Sequence, residues 1–196
     1  MTRIISGLAR GHRLRTPAGS GTRPTSDRVR EALFSRLEHL DVLRGARVLD
    51  LYAGSGALGL ECASRGATDV LLVESARGAA AVARANAAAL ADVLAPAQVQ
   101  VRADTVERVL SGRPVGRAAG VVLLDPPYDV SQDRLAAVLA QLVGRGWLTP
   151  DALVVVERSA RSPEPAWPAG LVLEDQRRHG ETTVWTAQVA PEPDPA

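Results

Sequence analysis

Short apolar runs alternate with helix-like stretches from residue 46 onward, and this alternation constrains the fold more than any other feature. The runs are rich in valine and leucine at successive positions, which is typical of strands that a parallel sheet buries on both faces. They span residues 46–52, 69–74, 97–103, 120–125 and 152–157. The intervening segments that predict helices are 56–65, 76–91, 104–110 and 131–144. Repeated strand–helix units predict an α/β fold with a mostly parallel, doubly wound sheet.

A small extension is predicted ahead of these units. Residues 3–17 alternate apolar and polar side chains between glycines, which indicates a β-hairpin. A helix is predicted over residues 25–40, with Thr25 or Ser26 as its N-cap. Its apolar face consists of Val29, Leu33, Leu37 and Leu40.

The pattern changes again near the end of the chain. Residues 171–175 and 182–189 predict an antiparallel hairpin at the edge of the sheet. The Pro-rich tail 190–196 is predicted to be disordered. We therefore expect an N-terminal extension over 1–40 and a main domain over 41–189.

Composition excludes several classes of protein. Hydrophobic residues make up 46% of the chain and charged residues 23%, which is ordinary for a globular domain. The single cysteine, Cys62, allows no intrachain disulfide, so a reducing compartment is expected and Cys62 is interpreted as a core residue. No apolar run approaches the roughly eighteen residues of a membrane span. His12, His39 and His179 show no metal-ligand spacing. The sequence therefore predicts a cytoplasmic protein with no metal and no membrane partner.

Charge is unevenly distributed along the chain. Residues 1–36 carry eight arginines against two acids, a net of +6, which leaves −5 for the rest because the whole chain is +1. Such a basic arm on a mildly acidic body suits contact with phosphates, although a solvated arm would look the same.

A glycine loop follows the first strand of the alternating pattern and opens a helix. Gly54, Gly56 and Gly59 fit G-x-G-x-x-G, and Glu74 lies where an acid holds a ribose, so a dinucleotide site is one interpretation. Asp50 argues against a dinucleotide, because a carboxylate before the glycines would repel its pyrophosphate. The same carboxylate would suit the ammonium group of S-adenosylmethionine, which carries no phosphate.

The stretch DLYAGSGALG, residues 50–59, resembles the first motif of class I S-adenosylmethionine-dependent methyltransferases. The resemblance implies a Rossmann-like fold and a loop whose backbone borders the methionine part of the cofactor, here Ala53, Gly54, Ser55 and Gly56. It implies that Glu74 holds both ribose hydroxyls and that Asp104 contacts the adenine amine. An acid at a helix N-cap is also common for structural reasons, so Asp104 has two explanations.

The fourth strand ends in Asp125, Pro126, Pro127 and Tyr128, which points to an amino-group substrate. In a doubly wound sheet this strand lies beside the first, so Asp125 would face the reactive end of the cofactor. Prolines offer carbonyl oxygens but no N–H, so the segment presents mainly acceptors, as an –NH2 group requires. The carboxylate would stabilise positive charge developing on nitrogen. Tyr128 would stack a flipped base. A simple strand-ending turn is the structural alternative.

Five stretches in order are similar to the bacterial 16S ribosomal RNA guanine-N2 methyltransferase family, over residues 3–186. They are RIISGLARGHRL, GTRPTSDRVREALF, DLYAGSGALGLE, LDPPY and HGETTVW. The resemblance implies 16S rRNA as partner, within the 30S subunit or an assembly intermediate. It also implies substrate contacts from the arm, for which we select Arg10, Arg13, Arg23 and Thr25. His179 stands where the family usually has tyrosine, which leaves the role of that ring open.

The sequence thus predicts methyl transfer from S-adenosylmethionine to the exocyclic N2 of a guanine in 16S rRNA. One alternative is a DNA adenine-N6 methyltransferase, although the chain has no room for a sizeable target-recognition domain. Another is a non-catalytic RNA-binding assembly factor, against which the set Asp50, Glu74 and Asp125 argues. A protein-amide methyltransferase would be expected to carry asparagine before Pro-Pro.

Overall fold

The computed structural model of this chain describes residues 2–17 and 27–190, with the backbone alone for Asp27. The predictions for Arg23, for Thr25 and for the N-cap of the first helix lie outside the described residues. The prediction of disorder over 191–196 lies outside them as well.

Five helices and nine strands form within the described ranges. The helices are α1 (Asp27–His39), α2 (Ala57–Ser64), α3 (Arg77–Leu94), α4 (Val106–Leu110) and α5 (Gln132–Gly144). The strands are β1 (Thr2–Arg3), β2 (Arg13–Leu14), β3 (Arg47–Leu51), β4 (Asp69–Val73), β5 (Gln98–Arg102), β6 (Ala119–Leu124), β7 (Leu148–Ser159), β8 (Leu171–His179) and β9 (Thr182–Val189). Each predicted strand and helix in the alternating region has a counterpart here.

Seven of the strands form one sheet in the order β5-β4-β3-β6-β7-β9-β8. The five strands from β5 to β7 pair in parallel, whereas β9 runs antiparallel to both β7 and β8. The strand order reverses between β3 and β6, and ligands of such sheets bind at that switch point. The predicted α/β, doubly wound and mostly parallel sheet with an antiparallel edge hairpin is confirmed. The N-terminal hairpin is also present, as β1 paired with β2.

Helices cover both faces of the sheet. One apolar cluster joins α1, α2, α3 and the N-terminal hairpin to one face, through Ile4, Phe34, Leu60 and Leu72 among others. The other cluster packs α4 and α5 on the opposite face. Successive residues of β3 alternate between the two clusters, with Val48 in the first and Leu49 in the second. Double coverage explains why the central strands are continuously apolar.

Burial differs from the prediction at two places. No side chain of β5 is fully buried, because this strand lies at the sheet edge, so the prediction of burial on both faces was wrong there. Leu40 was predicted on the apolar face of the first helix, but it is 42% exposed because α1 ends at His39. Val29, Leu33 and Leu37 on that face are buried.

The edge hairpin is longer than the sequence indicated. β8 continues to His179, so residues assigned to the connection belong to a strand and only two residues separate β8 from β9. The pairing of β8 with β9 has a register irregularity between Leu173 and Asp175. Because His179 pairs with Thr182, and Thr182 with Ser159, the turn lies at the carboxyl end of β7.

Candidate functional site

The switch point brings together the two motifs that the sequence singled out. β3 and β6 are hydrogen-bonded neighbours with Asp50 opposite Leu123 and Leu51 opposite Leu124. The glycine loop after β3 and the segment that begins at Asp125 therefore leave the sheet at adjacent points. This is the position at which doubly wound sheets bind ligands.

The glycine loop is folded back over the end of β4. The amide of Ala53 donates to the carbonyl of Val73 at 2.9 Å, and the amide of Gly56 donates to the carbonyl of Ala53 at 2.7 Å. Gly54 has φ +55°, and a Cβ placed there would meet nothing within 4 Å. The loop backbone at Gly54 is thus open on the side where a ligand would approach.

Two other glycines are required by packing. A Cβ at Gly59 would lie 2.3 Å from Cδ2 of Leu72, and one at Gly56 would lie 2.7 Å from Cδ1 of the same leucine. Gly56 also has φ +80°, which side chains other than glycine rarely adopt. These two residues let α2 lie directly against the sheet, so that the start of α2 reaches the switch point.

Asp50 is buried beneath the loop and is only 1% exposed. Its Oδ2 accepts a hydrogen bond from the amide of Gly59 at 2.8 Å. Burial raises the pKa of Asp50 to about 7, the Gly59 hydrogen bond opposes that rise, and the charges of Asp125 and Glu74 add to it. The carboxylate therefore braces the first turn of α2 and lies within an acidic environment.

Glu74 follows β4 and binds two loop amides. Its Oε2 accepts from Gly54 N–H at 2.8 Å and its Oε1 accepts from Ala76 N–H at 2.7 Å. An ionised carboxylate offers about four lone-pair sites, so each oxygen retains capacity for another donor. Half-buried beside the open Gly54, Glu74 is positioned to accept from ligand hydroxyls.

Asp104 lies just before α4 but does not cap it. The N-cap is Thr105, whose hydroxyl accepts from the amide of Arg108 at 3.3 Å. Asp104 instead accepts from the Thr105 amide at 2.9 Å and has Arg102 and Arg108 at 3.9 and 3.8 Å. The N-cap interpretation of Asp104 was wrong, so helix capping does not account for this acid.

The segment after β6 starts buried and ends with an exposed tyrosine ring. Asp125 is half-buried and Pro126 is buried, whereas Tyr128 is 69% exposed. The amide of Val130 donates to the carbonyl of Pro127 at 3.1 Å, which closes a turn. A tyrosine ring left in solvent beside a ligand crevice is available for stacking.

Two residues near this segment were missed by the sequence analysis. Arg158 on β7 donates from Nη2 to the carbonyl of Val130 at 2.9 Å, which fixes the end of the Asp125 segment. Tyr52 has φ +68°, and its hydroxyl is buried with no hydrogen-bond partner in the part of the chain that the structure describes. Burial, with Glu107 next, raises the pKa of Tyr52 to about 12. A strained residue at the start of the ligand loop is a pattern of functional sites.

The N-terminal hairpin is anchored by a buried carboxylate on α2. Glu61, 0% exposed, accepts from the amides of Ile5 and Ser6 at 2.7 and 3.0 Å. Arg30 and Arg65 donate to the same carboxylate at 3.3 and 2.7 Å. Glu61 was not identified by the sequence analysis, because three of these partners, Ile5, Ser6 and Arg30, lie 31 to 56 residues away.

Of the four predicted substrate residues, only two lie in the described part of the chain. Arg10 and Arg13 are exposed on the hairpin. Asn86, in α3, connects the end of this hairpin to the glycine loop. Its side-chain amide hydrogen-bonds both Arg15 and Ser55, 71 and 31 residues away. The sequence gives no signal for a contact of that range.

A separate groove of about 360 Å³ lies between α3 and β5, away from the switch point. Alanines, Leu94, Val99 and Val101 line most of it. Within the described ranges no helix is long and apolar enough to cross a membrane. The same residues hold no cluster of three or more His, Cys, Asp or Glu that would bind a metal ion.

Comparisons with known proteins agree with this geometry. The family model Conserved hypothetical protein 95 matches residues 2–188. "Ribosomal RNA small subunit methyltransferase D" of Escherichia coli is 35% identical, over 91% of this chain and 85% of that protein. The protein of the same name from Haemophilus influenzae is 36% identical, over 82% and 80%.

Solved structures share the fold. "Putative methyltransferase yhhF" from Escherichia coli is 32% identical, covers 96% of this chain and 97% of that one, and has a TM-score of 0.82. The Thermus thermophilus 16S rRNA N2 G1207 methyltransferase, solved with AdoMet and guanosine, has a TM-score of 0.63 at 21% identity, which shows the fold alone. The chain belongs to the Conserved hypothetical protein 95 family, a family of ribosomal RNA methyltransferases.

Proposed function

We propose that this methyltransferase transfers a methyl group from S-adenosylmethionine to the exocyclic N2 of a guanine in 16S rRNA of the small ribosomal subunit. The observation that carries the proposal is the emergence of Asp125-Pro126-Pro127-Tyr128 from β6 directly beside the glycine loop of β3. The names of the relatives supply the ribosomal RNA of the small subunit as the substrate class.

The residues present fit S-adenosylmethionine. Gly54 leaves open space where a Cβ would stand, and Glu74 retains acceptor capacity beside it. We assign the methionine part to the backbone of Ala53, Gly54, Ser55 and Gly56, with Asp50 contributing negative charge beneath the loop. Glu74 would hold the ribose hydroxyls and Asp104 the adenine amine. The cofactor supplies an electrophilic sulfonium methyl group when bound.

The chain's own contribution is to orient and neutralise the amine. The carboxylate of Asp125 and the carbonyl of Pro126 would accept hydrogen bonds from the two amine hydrogens. The nitrogen lone pair would then point away from the ring plane toward the methyl group. As the N–C bond forms and the S–C bond breaks, positive charge develops on nitrogen and Asp125 stabilises it. Asp125 would then take up the proton that leaves nitrogen.

Tyr128 would hold the flipped base by stacking, because its ring is exposed beside the crevice. The RNA backbone would lie across the basic arm, which includes Arg10 and Arg13, together with Arg23 and Thr25. We propose that the enzyme acts in the cytoplasm on 16S rRNA within the 30S subunit or an assembly intermediate. Nothing in the described residues or the comparisons favours DNA or a non-catalytic role.

The substrate assignment is tested by incubating the protein and methyl-labelled S-adenosylmethionine with small ribosomal subunits from cells that lack this enzyme. Naked 16S rRNA is offered in parallel. We expect label in 16S rRNA, with more label on the particle. Label in 23S rRNA, DNA or ribosomal protein instead would overturn the proposal.

A further inference from the structure

The buried side chain of Asn86 connects two segments that are far apart in sequence. It lies in α3, is 3% exposed, and uses its whole side-chain amide. Its Oδ1 accepts from Arg15 N–H at 2.9 Å, and its Nδ2 donates to the Arg15 carbonyl at 3.0 Å and to the Ser55 carbonyl at 2.9 Å. The opposite amide orientation would face the Arg15 N–H with a donor, so this orientation is the one that satisfies every group.

The two connected segments serve different ligands in the proposed function. Ser55 belongs to the glycine loop, which would border the cofactor. Arg15 ends the hairpin that carries Arg10 and Arg13, and the chain continues from it toward Arg23 and Thr25. Through Asn86, the end of the N-terminal hairpin at Arg15 is therefore hydrogen-bonded to the glycine loop at Ser55.

The burial of the Asn86 side chain makes its hydrogen bonds costly to break. A displacement of the Arg15 backbone would leave the Asn86 side-chain amide, itself only 3% exposed, without a partner, which is costly. The alternative is that Asn86 and the Ser55 carbonyl move together with Arg15. In either case the position of the arm and the conformation of the loop are not independent.

We propose that Asn86 is a positioning residue that couples RNA binding at the arm to cofactor binding at the glycine loop. The proposal rests on the proposed function. It requires that RNA raises the affinity for the cofactor and that the cofactor raises the affinity for RNA by the same factor. In the proposed function Asn86 has no direct contact with either ligand and acts through Arg15 and Ser55.

The coupling is measured by equilibrium dialysis of labelled S-adenosylhomocysteine, with and without saturating small ribosomal subunits. We expect the subunits to lower the wild-type Kd at least threefold, roughly the effect of one buried hydrogen bond. Asn86→Ala should bind S-adenosylhomocysteine about threefold to tenfold more weakly, and the subunits should no longer change that Kd. A variant that keeps the wild-type ratio of the two Kd values would overturn the proposal.

Ser64→Ala is the matched control. The Ser64 hydroxyl is buried, accepts from the Ala9 amide at 2.9 Å and donates to the Ser6 carbonyl at 2.6 Å, so it ties the same hairpin to α2. None of its hydrogen bonds reaches the glycine loop. Ser64→Ala should therefore keep the wild-type ratio, and loss of the ratio in this variant as well would contradict a specific role for Asn86.

A second measurement uses the wild-type protein alone, in case Asn86→Ala does not fold. The Arg15 amide donates a hydrogen bond to Oδ1 of Asn86. The rate of hydrogen exchange at this amide therefore reports how often that hydrogen bond opens. S-adenosylhomocysteine without RNA should slow exchange at Arg15, and unchanged exchange there would overturn the proposal. Failure of the wild type to bind S-adenosylhomocysteine at all would instead contradict the proposed function, which separates the two outcomes.

Discussion

At the scale of single residues, Asp125 and Asp50 have similar positions and different environments. Asp50 lies near the end of β3, and Asp125 directly follows β6, the strand beside β3 at the switch point. Asp50 is buried and braces the loop, whereas Asp125 is half-buried at the crevice. The environment therefore gives Asp50 a role in supporting the loop, and it leaves Asp125 at the crevice, where we propose that it contacts the substrate.

Replacing Asp125 should separate binding from chemistry. Asp125→Ala removes an acceptor and the negative charge that would stabilise the amine, so we expect methyl transfer to fall by about 10²–10³-fold. Asp125→Asn keeps an acceptor oxygen and should lose less. Single-turnover methyl transfer measures both variants, and titration calorimetry should find cofactor affinity within a few-fold of wild type. Full transfer activity in Asp125→Ala would contradict the role given to this carboxylate.

Asp50 should make stability depend on pH. Its pKa is near 7 in the folded protein and near 3.8 when unfolded, so between these values the folded state binds more protons. The free energy of unfolding should therefore fall as pH rises from about 4 to 7, by at most ~4 kcal/mol. Urea unfolding at pH 5 and pH 8 measures this. The isosteric Asp50→Asn should lose much of that dependence, and an unchanged difference would exclude Asp50 as its source.

Sequence patterns identified the motif residues and missed the residues that hold the motifs. Asp50, Glu74 and Asp125 stand at strand ends, and periodicity shows strand ends directly. The roles of all predicted site residues stay predictions. Asn86 acts through partners 31 and 71 residues away, and Glu61 holds the hairpin through Ile5 and Ser6, 56 and 55 residues away. Such contacts depend on tertiary packing that periodicity does not encode.

At the scale of elements, α2 holds both the glycine loop and the N-terminal hairpin in place. Its N-terminal end is joined to the glycine loop, and its buried Glu61 anchors the N-terminal hairpin. Gly56 and Gly59 allow the close approach of α2 to the sheet. The position of α2 therefore sets the loop and the arm together.

Gly59→Ala should force α2 away from the sheet. The added Cβ would lie 2.3, 3.0 and 3.1 Å from atoms of Leu72, Val70 and Asp50. We expect a loss of about 1–3 kcal/mol in unfolding free energy, together with weaker cofactor binding because the Asp50–Gly59 hydrogen bond is displaced. Gly78→Ala is the control, since a Cβ in α3 there meets nothing within 4 Å. It should be neutral or stabilising, by up to ~1 kcal/mol. Equal effects of the two changes would contradict the packing argument.

Elements were predictable where both faces of a strand are buried and less so elsewhere. β3, β6 and β7 read as continuous apolar runs because helices cover both sides. β5 was assigned the same burial although it lies at the edge. Its residues 98–102 alternate polar and apolar side chains, which is the pattern of a half-buried strand, and the prediction did not use that signal.

At the scale of the whole molecule, the charge distribution should govern RNA binding. Residues 1–36 are strongly basic while the remainder is acidic. The logarithm of the affinity for 16S rRNA should fall linearly with the logarithm of salt concentration. Arg10→Ala and Arg13→Ala should each weaken binding and lower that slope by about 1. Filter binding at several salt concentrations tests this, with the exposed Arg84 of the α3–β5 groove replaced as control. An unchanged slope in both arm variants would place the RNA elsewhere.

The central claim of the proposed function is the atom that receives the methyl group, the exocyclic N2 of guanine. The most direct measurement is mass spectrometry of nucleosides from 16S rRNA methylated by this protein with S-adenosylmethionine carrying a deuterated methyl group. The proposed reaction should place the label in N2-methylguanosine. Label on a ring carbon, a ribose hydroxyl or an adenine would contradict the proposal that Asp125 and the Pro126 carbonyl orient the guanine amine for methylation.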